Sequence, residues 1–174
     1  TSSFGTGSGV AAGVPLAVTL KVLSTAQDCA PLAGAAVYAW HCDREGRYSM
    51  YSPGVTGEDF LRGVGETGED GTVTFRSIFP GCYTGRWPHI HFEVYPSVEA
   101  ATGHGRKLRT SQLALPEDVC REVYATAGYE TSVSNLATTS LARDMVFADG
   151  YSLQMAAMDG DLSSGLTATL PVPV

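Results

Sequence analysis

The 174-residue sequence is short of positive charge: 11 Lys and Arg stand against 18 Asp and Glu, a formal charge of −7. That balance argues against nucleic acid or an anionic membrane as a partner. No apolar run is long enough to span a bilayer. No CxxC pair occurs among Cys29, Cys42, Cys82 and Cys120, which argues against a zinc ribbon. Position 1 is not Met, so the chain reads as a mature form or an excised fragment. An even cysteine count in such a chain predicts two disulfides and a secreted, extracellular protein. Three connectivities are open. Cys29–Cys42 with Cys82–Cys120 is preferred, and four buried free thiols are the alternative.

The length suits one domain with a substantial core. Residues 1–14 are dominated by Gly, Ser, Thr and Ala and read as a flexible linker or frayed end, through which a further domain would be joined. Residues 15–174 are expected to form the domain itself. Period-two apolar patterns dominate it. Leu16–Leu23, Ala35–Trp40, Gly71–Arg76, His89–Tyr95, Asp144–Phe147, Tyr151–Ala157 and Leu166–Val172 are strand candidates. Turn signals separate them at Pro31–Gly34, Glu69–Gly71, Pro80–Gly81, Asp149–Gly150 and Asp159–Gly160. The pattern predicts an all-β protein, an antiparallel β-sandwich with one or two short helices. One helix is expected from Pro116-Glu117-Asp118 to Gly128 with Val119, Val123 and Tyr124 on its apolar face, and a second near Ser132–Ala137. The basic run Gly103–Arg109 reads as a solvated loop, with His104 exposed in it.

The most informative stretch is Tyr83-Thr-Gly-Arg-Trp-Pro-His89-Ile-His91. His89 and His91, two apart at the start of a strand, project from one face and can address one atom. A His-x-His pair alone is a weak signal. Tyr83 lies just upstream after a Pro-Gly turn, and Tyr48 follows another strand and turn. A phenol has a pKa near 10 and binds most divalent ions poorly at neutral pH. A trivalent ion is a harder Lewis acid that stabilises phenolate oxygen, so two tyrosines with two histidines point to ferric iron rather than to zinc or copper.

These residues stand in a longer pattern. Trp40-His41-x-Asp43-x-x-Gly46-x-Tyr48-Ser49, Leu61-Arg62-Gly63, Glu69-Asp70-Gly71-x-x-x-Phe75-Arg76-x-Ile78-x-Pro80, Tyr83 and Arg86-x-Pro88-His89-Ile90-His91-Phe92 together resemble the intradiol ring-cleaving dioxygenases, the catechol and protocatechuate class with non-haem iron. The likeness runs from about Cys29 to Leu115, and the order, residue types and most spacings agree. It implies the prealbumin-like core of that family, with Tyr48, Tyr83, His89 and His91 as ligands of non-haem Fe(III). Tyr48 resembles the tyrosinate that stays bound, Tyr83 the one that leaves when substrate binds. Arg86 resembles the arginine that stabilises negative charge on the ring, and Gln112 the glutamine beside it. The implied reaction is cleavage of a catecholic aromatic by dioxygen to a muconate-type diacid.

A charge count agrees. Two phenolates and a hydroxide neutralise a trivalent ion, and a dianionic catechol replacing the hydroxide and Tyr83 leaves it neutral again, which spares a buried site a large desolvation cost. The gap between Tyr83 and His89 is shorter than in better-known members, and the cysteines resemble those of smaller secreted members.

Two other readings compete. A non-catalytic prealbumin-like binding module shares the Pro31-to-Val37 and Glu69-to-Tyr83 patterns but lacks Arg-x-Pro-His-Ile-His. A cupin-type oxygenase uses His-x-His but needs a following Glu, where Tyr95 and Pro96 stand here. Among the remaining candidates, His41 reads as structural, Tyr48 is preferred over Tyr51 as the ligand, and Trp40, Phe75 and Phe92 are expected in the core. Trp87 is divided between the pocket mouth and packing, and Arg62 and Arg76 are expected to support loops.

Overall fold

The computed structural model describes residues 7–103 and 105–174; residues 1–6 of the expected linker and His104 lie outside the described residues. Residues further along the expected linker touch the domain. Gly9 N–H donates to Glu58 Oε2 (2.7 Å), Val14 N–H to Tyr129 Oη (3.1 Å), and Phe79 N–H to the Val14 carbonyl (2.8 Å).

Strand alternation sets the core. In β1 (Pro15–Ser24), Leu16, Val18, Leu20 and Val22 are buried and the residues between them face the other way. β1 pairs with β2 (Ala30–Pro31) and β5 (Thr72–Ile78) antiparallel and with β9 (Gly165–Pro173) parallel. β8 (Ala157–Asp161) closes this five-stranded sheet against β9. The expectation of wholly antiparallel pairing is corrected at β1–β9. A parallel neighbour needs a long crossover, and almost the whole chain lies between these two strands.

The second sheet has the order β4 (Arg62–Glu66), β3 (Ala36–Trp40), β6 (His89–Tyr95), β7 (Arg109–Ala114), all antiparallel. One face of it sends Val37, Ile90, Phe92 and Val94 into the same buried cluster as Leu16, Val18, Leu20 and Leu170 of the first sheet. By the period-two rule the opposite face carries Tyr38, Trp40, His91 and Gln112. Trp40 stands opposite His91, and His91 opposite Gln112. Half-polar strands such as Arg-Thr-Ser-Gln-Leu-Ala (β7) and glycine-rich Arg-Gly-Val-Gly-Glu (β4) have little local strand signal and were not expected; their pairing with β6 and β3 makes them strands.

Helices are few. α1 (Val98–Thr102), unforeseen, starts at Ser97, whose Oγ accepts from Ala100 N–H (3.3 Å). The two expected helices form as α2 (Glu117–Tyr124), which buries Cys120, Val123 and Tyr124, and α3 (Glu130–Thr138).

Four further expectations fail. Asp144–Phe147 is not a strand: the Asp144 carboxylate accepts from Val146 N–H (2.8 Å), which makes a turn after the short 3-10 segment Leu141–Arg143. The expected strand Tyr151–Ala157 does not form either: its first residues turn, with Gln154 N–H bonded to the Tyr151 carbonyl (2.9 Å), and only Ala157 is in a strand, as the start of β8; the Asp159–Gly160 pair lies inside β8 rather than in a turn. The disulfides do not form, and all four cysteines are free. Cys29 is exposed in the turn before β2, whereas Cys42 is buried with Sγ toward the Gly81 carbonyl (3.4 Å); Cys82 faces the Arg86 carbonyl (3.5 Å), and Cys120 is buried in α2.

Candidate metal centre

Two loops bring the tyrosines together. After β3 the chain turns around the buried Asp43, whose Oδ1 accepts from the backbone N–H of Glu45 (3.0 Å) and Arg47 (2.9 Å) and whose Oδ2 accepts from Arg47 Nε (2.9 Å). Gly46 holds φ +83°, and a Cβ there would sit 3.0 Å from the Tyr83 Cβ. Glycine therefore satisfies both the left-handed backbone and the close approach of the second loop. Gly81 N–H donates to the Asp43 carbonyl (3.0 Å), and a side chain at Gly81 would collide with the Arg44 backbone. Tyr48 and Tyr83 are thus fixed relative to each other by a glycine on each loop. Arg62 secures the far side of Tyr48, donating from Nε to Ser49 Oγ (3.0 Å), from Nη2 to the Ser49 carbonyl (2.7 Å) and from Nη1 to Tyr38 Oη (2.8 Å).

The histidines come from the start of β6. His89 Nδ1 lies 2.5 Å from the Trp87 carbonyl. A carbonyl only accepts, so Nδ1 carries the proton and Nε2 keeps its lone pair. Three groups converge on that one lone pair: His91 Nε2 at 3.1 Å, Tyr48 Oη at 3.3 Å and Tyr83 Oη at 3.3 Å, with the two phenol oxygens 3.5 Å apart. Ordinary hydrogen bonding cannot satisfy three partners on one acceptor site. Four donor atoms bound at about 2.1 Å to one centre, at angles of about 90–110°, would stand roughly 3.0–3.4 Å apart. The set could hold a metal ion, and its two phenols favour a hard, highly charged one. Among the described residues no group of three or more His, Cys, Asp and Glu is placed to do so.

Burial sets the protonation of these groups. It lowers His89 to about 3 and His91 to about 4; the Arg86 charge adds to this for both, and the Trp87 carbonyl opposes it for His89. Both imidazoles are therefore neutral, the form that ligates, at neutral pH. Burial raises Tyr48 and Tyr83. Their ionisation would need a strong positive charge between them.

The Arg86 guanidinium lies beside this cluster. Nη2 donates to Gln112 Oε1 (2.6 Å), and Nε donates to Asp144 Oδ2 (2.9 Å). Asp144 is fully buried and also accepts from Trp87 N–H (2.7 Å), a site residue that the strand expected over Asp144–Phe147 does not reveal. An acid beside an apolar Met-Val-Phe run was the available signal. Trp40 also differs from expectation: it stacks on His91, with ring centroids 4.7 Å apart and planes 4° apart, rather than entering the core. Phe75 packs partly buried against the core and Phe92 is fully inside it. Phe147 meets His89 edge-on at 6.5 Å.

Tyr51 is 67% exposed and lies under Arg62, away from the four donors. His41 is buried, with Nδ1 bonded to the Cys42 carbonyl (2.7 Å) and Nε2 to Ser77 Oγ (2.7 Å). Trp87 packs in the core and donates Nε1–H to the Leu115 carbonyl (2.8 Å). A cleft of about 680 Å³ reaches the site, lined among others by Trp40, His91, Gln112, Val146 and Gln154. A second, of about 420 Å³, lies by Arg62, Arg76 and His41 and includes none of the four donors.

A family model described as Dioxygenase matches residues 4–136. Catechol 1,2-dioxygenase 1 of Acinetobacter lwoffii is 34% identical over 105 residues, 49% of this chain and 32% of that protein. Hydroxyquinol 1,2-dioxygenase of a Rhizobium species is 39% identical over 71 residues, 41% of this chain and 23% of that one. The matches to these two curated relatives thus span no more than a third of their length. Among solved structures, an intradiol ring-cleavage dioxygenase from Tetranychus urticae superposes with TM-score 0.78 at 30% identity, covering 94% of this chain and 81% of that chain. The dioxygenase domain of a dioxygenase–carbohydrate-binding fusion from Streptomyces sp. SirexAA-E gives TM-score 0.64 at 26% identity, over 96% and 83%.

Proposed function

The chain belongs to the intradiol ring-cleaving dioxygenase family, and on that premise we propose that it cleaves a catecholic aromatic between its two hydroxyl-bearing carbons, with dioxygen, to a muconate-type diacid. Tyr48, Tyr83, His89 and His91 would hold ferric iron. When bound, that ion supplies the Lewis acidity that draws charge from the catecholate ring. The convergence of these four donor atoms carries the reading.

The chain's own residues have separable tasks. His89 presents Nε2 because the Trp87 carbonyl holds its other nitrogen. Tyr83, on the short loop Tyr83–Arg86, is the phenol that would release and accept a catechol proton at Oη. Arg86 and Gln112 would face the substrate ring and oppose negative charge that develops on it, a preorganised arrangement. Trp40 and Val146, which line the larger cleft, would flank the bound ring and exclude water. We read the two sheets as the layers of a β-sandwich, since side chains of both meet in one cluster, and residues 15–174 as the catalytic unit.

The test is colour and turnover. Protein loaded with ferric iron is expected to be red to burgundy from phenolate-to-iron charge transfer, and to consume oxygen with catechol, hydroxyquinol or substituted catechols while forming a diacid. A loaded protein that is colourless, or that consumes no oxygen across the panel, would end this reading.

A further inference from the structure

We propose that Asp144 is a positioning residue for the ring-cleavage reaction, acting through Arg86; the inference rests on the function proposed above and adds to it a residue 58 positions away in sequence.

The Asp144 carboxylate is entirely buried, and every hydrogen bond it makes goes to the structure around the site. Oδ2 accepts from Arg86 Nε (2.9 Å) and Trp87 N–H (2.7 Å); Oδ1 accepts from Arg86 Nη2 (3.4 Å) and Val146 N–H (2.8 Å). Burial works against its charge, yet the bonds from Arg86, Trp87 and Val146 outweigh this and hold the carboxyl below its usual range. The carboxyl therefore faces the guanidinium as a carboxylate at neutral pH.

The geometry leaves the guanidinium little freedom. Asp144 grips Nε and one edge of Nη2, while Gln112 Oε1 takes Nη2 from the other side. Gln112 stands opposite His91 on the sheet, so the guanidinium is pinned between a buried anion and the strand beside a candidate ligand. The same carboxylate holds Trp87 N–H, and the Trp87 carbonyl orients His89. A planar cation held at two edges is pre-oriented, and that is what stabilisation of charge developing only in the transition state requires. Without Asp144, Arg86 would keep its charge but lose its direction.

The experiment is a double-mutant cycle on the iron-loaded chain with Asp144→Asn, Arg86→Ala and both together. Asparagine keeps the size of the side chain and removes its charge. In D144N we expect iron content and charge-transfer colour to persist, anaerobic catechol affinity to stay within about threefold, and kcat to fall by roughly tenfold to a hundredfold. In the R86A background the same substitution should cost no further kcat, because no guanidinium is left to orient. Unfolding midpoints supply a reading independent of turnover. R86A leaves a buried carboxylate without its counter-ion, so D144N should raise the midpoint in that background and lower it in the wild type. If D144N alone fails to fold, recovery of folded protein in the double variant supports the pairing. Wild-type kcat in D144N, equal kcat losses in both backgrounds, or equal stability losses in both would each overturn the inference. A wild-type chain that neither colours with iron nor turns over catechols would instead overturn the function on which it rests, while the stability arm of the cycle still judges the Asp144–Arg86 pair.

Discussion

The indole of Trp40 lies flat on the imidazole of His91, 4.7 Å between centroids and 4° between planes. The contact follows from register, since Trp40 and His91 stand opposite each other on β3 and β6. Tyr38 continues the stack at 4.9 Å from Trp40. His91 is thereby held by a ring on the outer sheet face, whereas His89 is held by a backbone carbonyl. Aromatic pairs of this kind contribute about 0.5–1.5 kcal/mol beyond their burial. Trp40→Leu should loosen His91 and weaken iron binding by roughly threefold to tenfold, with Trp40→Phe closer to wild type. Chelator competition against the charge-transfer band measures this, and unchanged affinity in the leucine variant would leave the stack without a role at the metal.

Tyr48 and Tyr51 lie three residues apart and meet different surroundings. Tyr48 Oη reaches the donor cluster, and Tyr51 lies exposed under Arg62. Tyr48→Phe is expected to lower bound iron by more than about tenfold and to bleach the visible band, because a neutral ring replaces a charged oxygen donor. Tyr51→Phe should change neither. Metal analysis and the visible spectrum of the two proteins compared side by side decide the assignment, and a bleached Tyr51 variant would reverse it.

Gly46 is placed so that substitution acts on Tyr83, a residue on another loop. Gly46→Ala meets both a left-handed φ of +83° and the Tyr83 Cβ. We expect a loss of stability of more than about 1 kcal/mol together with weakened iron binding. Gly54→Ala is the control: its φ of +84° imposes the same backbone cost, but no atom lies within 4 Å of its added Cβ. Denaturant melts should therefore show instability in both, with weakened metal binding at position 46 alone.

His41 makes a pH dependence. Burial lowers its pKa to about 4, while the Cys42 carbonyl and the Asp43 charge oppose the shift. In the unfolded chain it takes up a proton near 6.5, so between about 6.5 and 4 the unfolded state binds more protons and stability falls as pH falls. The full effect is roughly 3 kcal/mol, reached near pH 4 and flat below it. His41→Gln, which can still bond to the Cys42 carbonyl and Ser77, should show a shallower loss between pH 7 and pH 5 in urea melts. Parallel slopes for the two proteins would remove His41 from this role.

The residue types of the site were readable because they are local. His-x-His on a strand faces one side by geometry, Gly46-x-Tyr48 carries its glycine next to its tyrosine, and α2 announces itself through Pro116, Glu117 and Asp118. The strands whose alternation is strong, β1, β3, β6 and β9, lie within a residue or two of where the pattern puts them. β4 and β7 carry no such pattern and exist through their partners, and Asp144, flanked by apolar residues, mimics a strand until its carboxylate captures nearby N–H groups.

What the sequence determined by itself is which chemistry is present: two phenols, two imidazoles and a guanidinium, each on a segment whose local geometry aims it. Only the tertiary structure decided which side chains meet. It put Asp144 under Arg86 and Trp40 on His91, left the four thiols unpaired, and laid β9 parallel to β1. The physical reason is range. Periodicity, capping and turn chemistry act over a few residues and are written in neighbouring letters, whereas contacts between distant segments depend on how the whole core packs, and no single stretch of sequence contains that information.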